Sequence, residues 1–323
     1  MTETQDNDTA LRERPSADME LIHRLVHDLM PVAAHIMAGG EPDDPAQRLA
    51  FADLRLLLEE LHPADVADIL ESLPQEERML VWHLATPEED GEVLLEVSDA
   101  VRESLIDAMD REELLAAVDD LDADELAELA DDLPQEIVDE ALSARDAEER
   151  AQVDAARSYD DHQVGAIMDF EMVSIRADVT CEVVLRYLRR FDSLPDHTDK
   201  IFVVDTDDVL RGVLPIRKLL VSDPEDRVEA VMITDVVRFQ PEDDVEAAAQ
   251  AFERYDLVTA PVVDGEKHLI GRITIDEIVD VIREESDADM RNMAGLQEEE
   301  DLFAPVWDSV KNRWMWLAVN LCT

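Results

Sequence analysis

The chain has 323 residues, of which 28 are basic and 81 acidic, and its formal net charge at pH 7 is −53. This charge excludes sequence-independent binding to nucleic acid or anionic lipid over most of the surface, because both depend on clusters of Lys and Arg. The length suffices for two or three domains with cores of their own, and the charge favours cations as partners.

The acidity also has a less specific interpretation. A cytosol rich in salt screens charges over short distances and would tolerate the same composition without any specific ligand. Cys181 and Cys322 form no disulfide framework, which is typical of a reducing cytosolic compartment.

Residues 1–18 are polar, contain no secretory signal and are predicted to be a disordered tail. Residues 19–158 repeat apolar side chains at spacings of three and four, as at Leu54, Leu57, Leu58 and Leu61. That spacing predicts amphipathic helices and therefore an acidic, all-α domain.

An internal repeat supports this prediction, because LHPADVADILESLPQEE at 61–77 returns as LDADELAELADDLPQEI at 121–137. Pro74 and Pro134 each suit the first turn of a new helix. Repeated helical hairpins of this kind predict a short superhelix.

After residue 159 the sequence alternates β-branched runs with helical stretches, which predicts an α/β region. This region is also a tandem repeat. Residues 167–184 align with 231–248, and residues 202–220 align with 261–279, with five extra residues between the two blocks in the first copy.

The chain ends differently. Lys311 and Arg313 precede WMWLAVNLCT at 314–323, where tryptophans suit a headgroup boundary and basic residues suit the cytoplasmic side. A membrane helix needs about 20 apolar residues, so these ten can only begin one. A short core helix at the end of a domain is the alternative.

The two α/β copies resemble a pair of CBS domains, at 165–226 and 230–285. The second copy carries the signature PVVD followed by Gly271, Thr274 and Glu277, whereas the first keeps Gly212 and has Pro215 where Thr is expected.

The whole order of segments resembles the MgtE-type magnesium transporters, and LHPAD, YDD at 159–161 and DEIVDVIREESDADM carry the likeness. The resemblance implies a non-enzymatic, Mg2+-sensing cytosolic region of a homodimeric channel in the cell membrane. It further implies dimerisation through the CBS domains, a plug helix at 287–306 and a pore domain that this chain lacks.

The resemblance also implies two groups of Mg2+ ligands. One joins the second CBS domain to the plug helix, through Asp256, Glu277, Asp280, Glu285 and Asp289. The other joins the helical domain to the CBS pair, through Glu92, Asp124, Glu128, Asp244 and Glu246. Ala288 stands at a plug position where the family has Glu, which puts the geometry there in doubt.

The residues themselves give the plug end of this scheme some support. Residues 274–290 contain seven carboxylates, and five like-charged pairs at helical spacing would cost roughly 1 to 2.5 kcal/mol together. Mg2+ prefers oxygen ligands and would relieve that repulsion. We therefore expect bound Mg2+ to favour a compact closed state.

Adenine nucleotide binding is the other activity that CBS domains imply, with Thr274 and Arg217 as candidates. Lys200 and Leu257 replace the aromatic residues that bracket adenine in the family, and Lys218 replaces an acid, so the sequence argues against ATP. Two alternatives stay open at this point: a soluble, nucleotide-binding CBS regulator, and a salt-adapted scaffold that binds nothing specifically.

Overall fold

A computed structural model of the chain describes residues 19–160, 162–191 and 193–283. They fall into two compact units, one of residues 19–121 with 129–144 and one of residues 122–128 with 145–283. The predicted tail, plug helix and membrane-helix start lie outside the described residues. Within the described ranges, every helix is too short or too polar to cross a lipid bilayer.

The first unit is all-helical, as predicted from the periodicity. Its residues 19–29 are helical, and short 3-10 helices span Met30–Val32 and Pro87–Glu89. The α-helices that follow are Ala33–Met37, Pro45–Leu58, Pro63–Ser72, Gln75–Leu84, Asp90–Glu96, Asp99–Ile106, Arg111–Ala117 and Gln135–Ala144.

Proline sets where several of these helices begin. Pro63 is the first residue of its helix, and helices start directly after Pro74 and Pro134. Proline suits these positions because the first helical residues have no intrahelical partner for their N–H groups. New helices thus begin where the repeat predicted, with Pro74 and Pro134 each one residue before the first helical residue.

Two buried arginines tie consecutive helices of this unit together. Arg78 is fully buried, and its guanidinium donates to the carbonyls of Leu70 (2.8 Å) and Leu73 (3.1 Å) at the end of the preceding helix. Arg102, 24 residues later, donates in the same way to Leu94 (2.7 Å) and also pairs with Asp132 (3.2 Å). Both arginines donate to carbonyls at helix ends, where intrahelical N–H donors run out.

The second unit is α/β, and it contains the two repeat copies. Its strands are β1 Ser174–Arg176, β2 Lys200–Val204, β3 Leu210–Pro215, β4 Thr259–Val263 and β5 Leu269–Thr274. Its helices are Ala123–Leu129, which ends one residue beyond the unit's boundary, Ala147–Ala156, Cys181–Leu188, Ile216–Leu219, Val228–Val231, Val245–Tyr255 and residues 275–283, with a 3-10 helix at Val164–Ile167.

The strands form one sheet in each copy. In the first sheet β1 pairs parallel with β2, and β2 pairs antiparallel with β3. In the second sheet β4 pairs antiparallel with β5, and a single parallel bridge from Phe239 to Val262 stands where β1 stands in the first. The order of a helical region followed by a CBS-like pair confirms the predicted fold class.

The two hairpins meet at their turns about a local pseudo-twofold axis. Val209 and His268, which are equivalent in the repeat, form an antiparallel bridge, with Leu210 N donating to Lys267 O and Leu269 N to Asp208 O. The backbone around this axis is therefore alike in the two copies, so side-chain differences at equivalent positions can be compared directly.

The glycines of the CBS signature are required by close backbone contacts. A Cβ atom on Gly212 would lie 2.4 Å from the Ile233 carbonyl oxygen, and one on Gly271 would lie 2.9 Å from the Asp169 carbonyl oxygen. Residues 233 and 169 are themselves equivalent in the repeat, so each glycine admits the same incoming segment.

Replacing Arg78 by Met should lower the free energy of unfolding by about 2 to 4 kcal/mol, because two buried carbonyls lose their donors. The exposed Arg111, which pairs with Glu140, is the matched control, and Arg111→Met should cost less than about 1 kcal/mol. Urea unfolding followed by circular dichroism measures both variants. Equal losses in the two variants would contradict this role for Arg78.

Candidate acidic site in the second unit

The site is built around Asp124, on the short helix Ala123–Leu129. Burial, together with the nearby charges of Asp169, Glu125 and Asp122, raises the pKa of the Asp124 carboxyl to about 8. Its Oδ1 atom is buried and has no hydrogen-bond partner among the described residues. An acceptor of this kind costs stability unless a proton or a cation reaches it.

Glu277 lies beside Asp124, on the helix that follows β5. Burial raises the pKa of the Glu277 carboxyl to about 9, and the charges of Asp124, Asp276, Glu128 and Asp280 add to the effect. The charged neighbours that shift both pKa values most are thus carboxylates. Two such groups cannot both ionise without a compensating cation.

Asp280, one turn further along the helix, lies at the edge of the site. Burial raises its pKa, and the positive charge of Arg283 opposes that effect. The Arg283 Nη1 atom lies 3.6 Å from Asp280 Oδ1, and both side chains are largely exposed.

The opposite side of the site contains a buried cation, Arg272 on β5. Its Nε donates to Asp169 Oδ2 at 2.6 Å, and its Nη1 donates to the carbonyl of Asp196 at 2.8 Å. Burial raises the pKa values of Asp169, Asp122 and Glu171, and the charge of Arg272 opposes that shift in each of them.

Four of the predicted ligands, from both predicted groups, influence one another electrostatically, because the charges of Asp124, Glu128 and Asp280 all raise the pKa of Glu277. Asp244 caps the helix Val245–Tyr255 by accepting from Ala247 N at 2.9 Å, and Glu246 lies exposed in its first turn. Asp256 ends that 11-residue helix, which is about 16 Å long. Asp244 and Asp256 therefore cannot share an ion.

The remaining predicted ligands lie elsewhere. Glu92 is exposed on the helix Asp90–Glu96 of the first unit. Glu285 and Asp289 lie outside the described residues. Among the described residues, no three His, Cys, Asp or Glu side chains converge closely enough to hold a metal ion by themselves, so water would have to supply most of the coordination.

The candidate nucleotide residues lie near a polar cluster between the two copies. Thr274 is buried and pairs with Thr259 in the β4–β5 register. Lys200 Nζ donates to the Thr259 carbonyl at 2.7 Å and lies 3.2 Å from Asp199 Oδ2. Arg217 is exposed, and its charge helps to lower the pKa of Lys200, after the larger effect of burial.

Four carboxylates of the site and its cation were not predicted from the sequence: Asp122, Asp169, Glu171, Asp196 and Arg272. The tandem repeat did contain a signal for two of them, because it aligns Asp169 with Ile233 and Arg272 with Val213. A charged pair at positions that are apolar in the sister copy indicates a role beyond packing.

Two families match the sequence of this chain. The family described as the MgtE intracellular N domain matches residues 61–162, and the CBS domain family matches residues 228–284.

Among full-length relatives, magnesium transporter MgtE of Thermus thermophilus is 33% identical over 248 residues, which are 75% of this chain and 55% of the relative. Magnesium transporter MgtE of Bacillus subtilis is 26% identical over 269 residues, 83% of this chain and 60% of the relative. The chain thus spans little more than half the length of these two relatives.

Two of the solved structures that resemble the chain are cytosolic or soluble parts of magnesium transport proteins. The cytosolic domain of the Mg2+ channel MgtE in complex with ATP has a TM-score of 0.63 and 33% identity, and the match covers 70% of this chain and 93% of that one. The soluble part of a magnesium transporter also has a TM-score of 0.63, at 23% identity, over 81% of this chain and 99% of that one, and it supports the fold alone.

Without divalent cations, the stability of the chain should fall as pH rises from about 5 to about 9. The folded-state pKa values of Asp124 and Glu277 lie above those of the unfolded chain, so the folded protein holds more protons in this range, and raising the pH removes that contribution. Asp124→Asn combined with Glu277→Gln should flatten the profile and raise the melting temperature at pH 9 by about 5 °C.

Thermal unfolding in EDTA at pH 6 and pH 9 measures this effect. Glu182→Gln combined with Glu225→Gln removes two exposed carboxylates of the same unit and serves as the control, which should keep the wild-type slope. A wild-type melting temperature that does not fall between the two pH values would contradict the prediction.

Proposed function

Since this chain belongs to the MgtE family, we propose that it is the cytosolic, Mg2+-sensing region of a membrane magnesium transporter. It works by binding and regulation and not by catalysis, and it faces the cytoplasm next to a pore domain that follows it. Bound Mg2+ stabilises the closed state, as the resemblance of the sequence to the family implies.

The observation that carries the proposal is the half-buried pair of Asp124 and Glu277. Their pKa values are raised by burial and by neighbouring carboxylates, and Asp124 Oδ1 has no partner among the described residues. A cation at this point would supply the missing partner and remove the repulsion. The residues present therefore fit a divalent ion.

Mg2+ suits the site better than a larger or softer ion. It takes oxygen ligands, keeps several of its waters and is commonly held by one or two carboxylates. Asp124 and Glu277 would hold the ion, and Glu128 and Asp280 would add negative charge around its waters. This arrangement needs no cage of three protein ligands.

Such an ion would connect two distant parts of the sequence only while it is bound. Asp124 comes from the helical part of the sequence and Glu277 from the end of the second CBS copy, 153 residues later by number (277 − 124). When Mg2+ is scarce and the pH approaches the raised pKa values of about 8 and 9, the two carboxylates ionise, repel each other and weaken this contact. The ligand thereby shifts the population between two states by its higher affinity for one of them.

A homodimer through the CBS domains belongs to the same proposal. Val279 and Ile282, on the last described helix, are 45% and 48% exposed, and they border an apolar groove of about 440 Å3 with Leu257 and Ile278. In a chain of net charge −53, an exposed apolar face suits contact with the same face of a second chain, because that contact removes apolar surface from water.

The soluble nucleotide regulator stays as the second candidate, because a relative of 33% identity has been solved with ATP. In this chain Lys200 lies largely buried against Thr259 and Asp199, between the candidate residues Thr274 and Arg217. A nucleotide there would have to displace or pair with Lys200.

Mg2+ in the millimolar range should protect the chain from proteolysis at equal ionic strength in NaCl. Asp124→Asn combined with Glu277→Gln should lose most of that protection, with a midpoint at least about tenfold higher, because the anionic oxygens are gone. Limited proteolysis across a Mg2+ titration measures the midpoint. The control pair Glu182→Gln with Glu225→Gln removes equal charge and should behave as wild type.

Each alternative gives a different result in the same assay. A salt-adapted scaffold would respond equally to NaCl and to MgCl2 at matched ionic strength. A nucleotide regulator would be protected by ATP in EDTA and would ignore Mg2+ alone. Either result would contradict Mg2+ sensing.

Val279→Glu combined with Ile282→Glu should weaken self-association by about a hundredfold or more, since two charges would enter an apolar contact. Leu49→Glu combined with Leu56→Glu alters exposed residues of the first unit, at 63% and 57% exposure, and should leave the mass unchanged. Sedimentation equilibrium gives the dissociation constants. A wild-type chain that stays monomeric at 100 µM or so would rule out this interface.

A further inference from the structure

Arg272 is a buried cation inside an otherwise acidic site. Its side chain is 5% exposed, and it pairs with Asp169, which is 14% exposed, at 2.6 Å. The two residues also exchange both backbone hydrogen bonds, at 2.9 Å and 2.8 Å. The segment before β1, at the start of the first CBS copy, is thereby fixed to β5 of the second copy.

The equivalent bridge at β3 in the first CBS copy shows that these backbone hydrogen bonds form without a charged pair of side chains. At the equivalent positions Val213 and Ile233 exchange the same two backbone hydrogen bonds, at 2.9 Å and 2.8 Å, with apolar side chains. The fold therefore accepts an apolar pair at this bridge. The charged pair occurs in the copy that borders the acidic site.

The charge of Arg272 acts unevenly across that site. It opposes the rise that burial causes in the pKa values of Asp169, Asp122 and Glu171, with Arg145 the larger opposing charge on Asp122. The largest charge effects on Asp124 and Glu277 come from carboxylates, including Asp169 on Asp124. Asp169, Asp122 and Glu171 thus lie near a positively charged side chain of the protein, whereas Asp124 and Glu277 would need a bound cation to compensate their charge.

We propose that Arg272 is a built-in counter-ion that sets the Mg2+ concentration at which the site fills. By neutralising Asp169, it reduces the negative charge that acts on Asp124 and so keeps the affinity for Mg2+ low. It is a positioning residue, acting through Asp169 and not by contact with the ion. This inference rests on the proposed Mg2+ site at Asp124 and Glu277.

The test compares two variants that break the same ion pair. Arg272→Gln removes the positive charge and should lower the Mg2+ midpoint roughly tenfold, while Asp169→Asn removes the negative charge and should raise it by a similar factor. A purely structural role predicts shifts in the same direction, because both variants lose the same contact.

Two further variants serve as controls. Arg272→Lys keeps the charge and should stay within about twofold of the wild-type midpoint. Asp169→Ile combined with Arg272→Val installs the pair of the sister copy, keeps the net charge and should return the midpoint to within about threefold of wild type.

Limited proteolysis of the full chain, with MgCl2 titrated at constant ionic strength, gives each midpoint, and circular dichroism in EDTA reports folding. If Arg272→Gln does not fold, a raised midpoint in Asp169→Asn beside a near-wild-type midpoint in the apolar double variant still decides the matter. If the Mg2+ midpoints of Arg272→Gln and Asp169→Asn shift in the same direction, or if that of Asp169→Asn does not shift, only the proposed role of Arg272 is overturned. A wild-type chain that ignores Mg2+ overturns the proposed function and this inference together.

Discussion

The burial of like charges at Asp124 and Glu277 is the constraint on which the proposed behaviour of this chain depends. Each carboxyl is removed from water, and the charges that affect it most are negative. Ionising both groups there is costly unless a cation compensates them. Protons satisfy this requirement up to about neutral pH, because the two pKa values are raised to about 8 and 9, and a divalent ion would satisfy it by displacing those protons. The contact therefore needs one or the other.

The rest of the second unit holds these two groups in place. The hairpins of the two CBS copies meet at Val209 and His268, and Gly212 and Gly271 let an incoming segment approach each hairpin closely. Glu277 follows β5 directly, within five residues of Arg272 (277 − 272). The β4–β5 sheet thus carries the counter-ion and leads into the helix that holds Glu277, while Asp124 lies on the short helix Ala123–Leu129 of the same unit.

Periodicity and repeats predicted most of the fold. The spacing of leucines predicted the helices of the first unit, the prolines at 74 and 134 marked where helices begin, and the glycines at 212 and 271 marked the CBS hairpins. These features act locally, over one helix or one hairpin, and a single sequence contains them in full.

The site could be predicted only in part. With 81 acidic residues, no local pattern separates Asp124, which is half-buried with its Oδ1 atom out of contact with water, from Glu246, which is exposed. The ion pair between Asp169 and Arg272 joins positions 103 residues apart and depends on tertiary packing. Family resemblance pointed to Asp124 and Glu277, whereas Arg272 had a signal only in the comparison of the two repeat copies.

Proton release on Mg2+ binding tests the central claim most directly. If Asp124 and Glu277 hold protons near neutral pH and lose them when the ion binds, binding should release about one to two protons per ion. Titration calorimetry at pH 7 in buffers of different ionisation enthalpy measures that number. Asp124→Asn combined with Glu277→Gln should abolish the release. Mg2+ binding by the wild-type chain with no proton release would contradict the account.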